Sequence, residues 1–134
     1  GLAEDVFDRI VIQPHTAIIE KVRSAGVDVP FIGFPRSAGA LVENYAARVP
    51  VNCVALDTQA SAVLGQRIQD SGKTIQGALD NLLLRAGGKA LDARVDALIE
   101  QWNSGPYIFN LGHGVLPDTP IEHIERTIRR VTGK

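Results

Sequence analysis

The sequence predicts an α/β fold of parallel βα units, and three observations carry that reading. Four short apolar segments recur along the 134 residues: Phe31 to Phe34, Val51 to Leu56, Thr74 to Gly77 and Tyr107 to Leu111. Between them lie longer stretches whose apolar residues fall at helical spacing. No low-complexity linker or shift of composition divides the chain, so one unit covering residues 1–134 is expected.

Residues 3–25 read as the first helix, with Ile18, Ile19 and Val22 on one face and Gly26 as its stop. Pro14 breaks or kinks it, because proline removes a backbone donor and clashes with the preceding turn. Strand one, Phe31 to Phe34, leads to a helix from Ala38 to Arg48 that sets Leu41, Val42, Tyr45 and Val49 at helical spacing. Strand two, Val51 to Leu56, ends at Asp57 and Thr58. Either can cap a helix that runs to Gln69 and buries Val63, Leu64 and Ile68. After strand three, Thr74 to Gly77, Asp80 caps a short helix ending at Gly87-Gly88. A second helix from Leu91 to Trp102 carries Leu91, Val95, Leu98, Ile99 and Trp102 on one stripe. Strand four, Tyr107 to Leu111, has the composition of a buried strand. The last helix, Ile121 to Val131, turns Ile121, Ile124, Ile128 and Val131 inward and Glu125, Arg126, Arg129 and Arg130 outward. Its start has the form of a capping box: Thr119 as N-cap, Pro120 at the first helical position and Glu122 reaching back.

Composition bounds the class. The chain is 45% apolar with a net charge of −1, as in a soluble globular domain. Its 14 basic and 15 acidic residues are mixed, which leaves no basic stripe for nucleic acid. The apolar runs fall short of a membrane span, and no secretory signal opens the chain, so a cytoplasmic protein is expected. The lone Cys53 can form neither an internal disulfide nor the Cys pairs of a structural zinc site, and it reads as a small core residue. The chain opens at Gly1 and holds no methionine, from which we expect a longer translation product lacking its N-terminal part.

The candidate chemistry gathers at the carboxyl ends of the strands, where α/β folds bind ligands. His113 is the sharpest candidate. Gly112 and Gly114 flank it, free the backbone there and let a ligand come close. An imidazole can donate, accept or carry charge near neutral pH. The alternative is a loop histidine that orders its own turn. Arg36, after strand one, either contacts a carboxylate with its forked guanidinium, or is a solvated loop charge, or pairs with Glu43. Asp57 and Asp80 follow strands two and three, the place of a catalytic carboxylate, but each also precedes a helix, and capping is a sufficient explanation. Gly77 and Gly112 to Gly114 allow a rival reading as a phosphate cradle of backbone N–H groups. His15 and His123 lie on helical stretches and read as surface or cap residues. The three histidines lack metal-site spacing, so no metal is expected.

Several motifs carry a family resemblance. Asn110-Leu111-Gly112-His113-Gly114, followed by Pro117 and Pro120, resembles the C-terminal signature of the uroporphyrinogen decarboxylase family. Gly33-Phe34-Pro35-Arg36-Ser37-Ala38-Gly39-Ala40 after Val29-Pro30, Ala55-Leu56-Asp57, and Gln76-Gly77-Ala78-Leu79-Asp80 resemble further segments of that family in the same order. Three positions depart from it: Ala78 stands at the usual Asn, Asn81 at the usual Pro and Thr58 at the common Trp.

The resemblance implies the last four strands of a TIM (β/α)8 barrel, roughly half of the about 250 residues a complete one needs. Such a half leaves unpaired edges and an apolar concave face. It is therefore expected beside its missing N-terminal half or a second copy. The resemblance also implies a cofactor-independent carboxy-lyase, usually a homodimer, that converts the four acetate side chains of uroporphyrinogen III and gives coproporphyrinogen III in haem biosynthesis. His113 matches the family's substrate-lining histidine. The family's pyrrole-gathering aspartate and most of its arginines lie in the N-terminal half, so the isolated chain is expected to be inactive. The other readings are a related corrinoid- or methionine-type methyltransferase barrel, a phosphate-binding barrel enzyme, and a bare assembly module.

Overall fold

The structure, a computed structural model, describes all 134 residues. Four parallel strands form one open sheet in the order β1 (Ile32–Gly33), β2 (Cys53–Ala55), β3 (Thr74–Leu79) and β4 (Tyr107–Leu111). Helices fill every gap between them, so the chain folds as α/β units and the sheet does not close. The register sets Ile32 beside Cys53, Ala55 beside Gln76, and Gln76 beside Ile108.

That register sorts the strand residues between two faces, because successive side chains alternate. Val54, Leu56, Ile75 and Leu79 lie on the helix side and are fully buried with Tyr45, Ile68, Leu98 and Trp102. Ile32, Cys53, Ala55, Gln76, Ile108 and Asn110 share the concave side. Ile32 is 53% exposed, Phe34 41% and Ile108 43%, an apolar surface with nothing against it. β4 is consequently an edge strand with half-covered side chains and not the buried strand its composition suggested.

The first helix forms, but Pro14 does not break it. α1 (Glu4–Phe7) passes through a π-helical turn (Asp8–Ile12) into α2 (Gln13–Ser24). The wide turn lies just where the proline ring would meet the preceding carbonyls, and it accommodates the ring without ending the helix. Phe7, Ile12 and Ile19 face inward, while Ile18 is exposed, contrary to its expected place on the buried face. Adjacent helical residues point about 100° apart, so the core shared with α3 (Leu41–Arg48) takes Ile19 and leaves Ile18 exposed.

α4 (Ala62–Asp70) starts later than expected. Its cap is Ser61, whose hydroxyl accepts from Leu64 N at 3.2 Å, and neither Asp57 nor Thr58. Val63 is exposed there, whereas Ile68 is buried as expected. Asp80 does cap α5 (Asn81–Ala86), accepting from Leu82 N at 2.8 Å. α6 (Gly88–Trp102) buries Leu91, Val95, Leu98 and Trp102.

α7 (Ile121–Thr132) departs most from its pattern. The capping box does not form: Pro120 occupies the N-cap in extended conformation, one place early, and the buried Thr119 hydroxyl has no partner. Ile121 and Ile128 are exposed, and the packed side holds Ile124, Thr127 and Val131. An apolar gap of about 290 Å³ separates α7 from β4, lined in part by Phe109, Leu111, Ile124, Ile128 and Val131. Arg126 and Arg130, expected in solvent, fork onto Asp92 and Asp96 of α6. Hydrogen bonds from Arg126 to Asp92 and from Arg130 to Asp96 hold both carboxyls below the usual carboxylate range. A lowered native pKa stabilises above the unfolded value, about 3.9, and that contribution fades as pH falls through the native value. Hydrogen exchange is therefore expected to show α7 loosening below about pH 4, with a smaller acid step in Asp92→Asn.

Candidate functional site

The carboxyl ends of the strands enclose a cleft of about 380 Å³ on the concave side. Its apolar wall includes Ile32, Phe34, Ala55 and Leu111, and its polar groups are Gln76, Asn110 and His113. The His113 ring is exposed, and its Nδ1 accepts from Gly114 N at 3.0 Å. An accepting Nδ1 places the neutral ring's proton on Nε2, which makes Nε2–H the donor available to a ligand.

The turn that carries this ring is held at several points. Gly112 N donates to Leu79 O at 2.8 Å. A Cβ on Gly112 would meet the backbone of Asp57 and Thr58, so only glycine lets the two loops close. Asn81 Nδ2 donates to Gly114 O at 2.7 Å.

The other candidates separate from His113. Arg36 is exposed and lines a different groove, with Phe7, Val11 and His15. Of its alternative readings, the pair with Glu43 is absent, since Glu43 meets Arg67 at 3.5 Å, and the exposed Arg36 has the place of a solvated loop charge. Asp57 accepts from Ser37 N at 2.9 Å and Gln59 N at 3.0 Å. It thereby fastens the loop after β1, where Ser37 has a positive φ of 58°, to the end of β2. His15 Nδ1 meets the Tyr45 hydroxyl at 2.8 Å across the α2–α3 contact. His123 Nδ1 lies 3.1 Å from the carbonyls of Leu84 and Arg85 at the end of α5. Cys53 is buried, and burial pushes its thiol up to about 11. No group of three or more His, Cys, Asp or Glu side chains is placed to hold a metal ion.

Comparison with known proteins gives the lineage. The family model described as uroporphyrinogen decarboxylase (URO-D) matches residues 1–133. The chain belongs to the uroporphyrinogen decarboxylase family. A protein named uroporphyrinogen decarboxylase from Phenylobacterium zucineum is 71% identical over the whole chain, which covers 39% of that protein. Those from Caulobacter vibrioides and Maricaulis maris are 69% and 48% identical and are covered over 38% and 39% of their lengths. The chain thus spans about two-fifths of the length of these relatives, corresponding to their C-terminal part. The four parallel strands are consistent with half of the family's barrel.

Within a uroporphyrinogen decarboxylase family chain, the three departures fall around the cleft. Ala78 pairs in register with Asn110 and is buried. The Thr58 backbone packs on Gly112, and Asn81 reaches Gly114. Gln76 and Asn110 lie inside two of the quoted motifs, yet sequence reasoning gave them no role. The available signal was a polar side chain near the carboxyl end of an otherwise apolar strand. The phosphate cradle finds little support in the geometry. Gly112 N and Gly114 N are already engaged, and Gly77 sits within β3 at φ 122°, where an added Cβ would strike Leu56 O.

Proposed function

We propose that the chain forms the C-terminal half of a (β/α)8 barrel that decarboxylates the four acetate side chains of uroporphyrinogen III, giving coproporphyrinogen III and CO2 in haem biosynthesis. The observation that carries this reading is the His113 ring, with Nδ1 tied to Gly114 N, beside an apolar cleft at the carboxyl end of the sheet. Nε2–H holds a substrate carboxylate, while Ile32, Phe34 and Leu111 take the apolar edge of a tetrapyrrole. A protonated pyrrole draws in the electron pair of the breaking bond to CO2, and the resulting side-chain carbon is then reprotonated. The chain's part is to orient the substrate and stabilise its charge.

A substrate with eight carboxylates needs several cations, and Arg36 lines another groove. The remaining cations belong to the N-terminal half, so the isolated chain is inactive. That half seats between the open edges of β1 and β4 and covers Ile32 and Ile108, and it also fills the gap under α7. The remaining three-fifths or so of the relatives' length is ample for four further βα units. The assembled protein is a cytoplasmic homodimer that works without a cofactor; no helix here is long and apolar enough to cross a membrane.

A graft tests this. Residues 1–134 replace the matching segment of the Phenylobacterium zucineum relative. The graft is expected to convert uroporphyrinogen to coproporphyrinogen at a rate within about tenfold of that relative. A folded graft without conversion would overturn the reading.

A further inference from the structure

Asn81 occupies the first position of α5, directly after its cap Asp80. That position leaves its backbone N–H without an intrahelical acceptor and suits proline. An asparagine there adds one thing proline lacks, a side-chain donor. The donor is used: Nδ2 reaches Gly114 O at 2.7 Å across 33 residues of chain, and Asn81 is buried, with 9% of its surface exposed. Gly114 has no side chain to restrain its own conformation, and its N–H is the group that His113 Nδ1 accepts. The two contacts lie on either side of one residue. Asn81 grips the carbonyl of Gly114, and the N–H of Gly114 grips the imidazole.

We propose that Asn81 is a positioning residue that sets the tautomer and direction of the His113 ring, an inference that rests on the reading of His113 as the substrate-facing group. With Gly114 O held, the Gly114 N–H stays aimed at Nδ1 and the ring proton stays on Nε2, facing the cleft. Without that hold the glycine rotates, its N–H turns to solvent, and the ring samples both tautomers and several directions. Other contacts near the turn do not replace the hold. Gly112 N–H fixes the entry to the turn, and Arg85 to Asp118 at 3.2 Å is an exposed pair beyond it.

The test uses the graft described above with Asn81→Asp, Asn81→Ala and Asn81→Pro. Asn81→Asp keeps the shape and turns a donor into an acceptor facing a carbonyl oxygen. Asn81→Pro keeps a good helix start while removing the carboxamide donor, so it separates the latch from the stability of α5. The ¹⁵N shifts of the His113 ring, assigned against His113→Ala, report the tautomer. All three variants are expected to move the ring from mainly Nε2–H to a mixture. The expected kinetic cost is about fivefold in kcat/KM, carried mostly by KM, with the unfolding midpoint of Asn81→Pro close to that of the unsubstituted graft. Variants with an unchanged tautomer and kcat/KM within about twofold of the unsubstituted graft overturn the proposal. Should the unsubstituted graft fold but lack activity, the functional reading fails, and the tautomer ratio by itself still decides whether Asn81 sets the ring. If one variant fails to fold, the other two decide the matter.

Discussion

Replacing His113 with alanine in the graft is expected to lower kcat/KM for uroporphyrinogen by about 10²-fold, the scale of losing one oriented donor at a charged site. The fold should be unaffected, because the ring is exposed and its only hydrogen bond runs to the adjacent Gly114. His113→Gln sharpens the result, since a glutamine amide can put an N–H near the place of Nε2. Recovery to within about tenfold of the unsubstituted graft marks His113 as a hydrogen-bond donor. No recovery marks it as a group that transfers a proton. Full activity in His113→Ala would remove this residue from the site.

The largest effect on stability is expected at Trp102. Its indole is fully buried, packs edge-on to Tyr107 at 5.4 Å and donates from Nε1 to Ala62 O at 3.2 Å. Gly65 is the socket: a Cβ there would stand 2.7 Å from the ring. The residue therefore joins α6, α4 and β4 at one point. Trp102→Ala leaves a cavity and removes the indole hydrogen bond to Ala62 O, and should cost about 3–5 kcal/mol. Gly65→Val should fail from the opposite side by overpacking the same contact. Urea unfolding followed by circular dichroism checks both, since Trp102 is the only tryptophan and cannot report on its own removal. A loss below about 1 kcal/mol in Trp102→Ala would contradict this packing.

Much of the fold was legible because period and punctuation agree in this sequence. β4 and the stripe of α6 came out residue by residue, since Leu91, Val95, Leu98 and Trp102 meet the sheet as a helix of that period must. Asp80 was legible as a cap because it abuts its helix. Asp57 was not, since its carboxylate serves a loop twenty residues earlier, and no local pattern encodes that contact. α7 misled for a different reason. Hydropathy assigned its inward face as though one neighbour lay below it, but the helix leans on α6 through arginines and leaves Ile121 and Ile128 bare. Apolar residues without a partner in an open sheet are what a half-barrel must show, and periodicity cannot tell a covered face from one whose cover is elsewhere.

For the candidate site, glycine spacing singled out His113, which lines the cleft at the carboxyl end of the sheet. Arg36 shows the limit: a position after a strand fixes the end of the sheet, not the groove that a long side chain enters. Asn81 was visible only as an unusual residue in a motif. Its meaning depends on a contact 33 residues away.

The most direct test of the account is uroporphyrinogen conversion by this chain alone, by the N-terminal portion of its own parent alone, and by the two mixed. We expect coproporphyrinogen only from the mixture. Turnover by the 134-residue chain alone, or none from a mixture shown to form a folded complex, would contradict it.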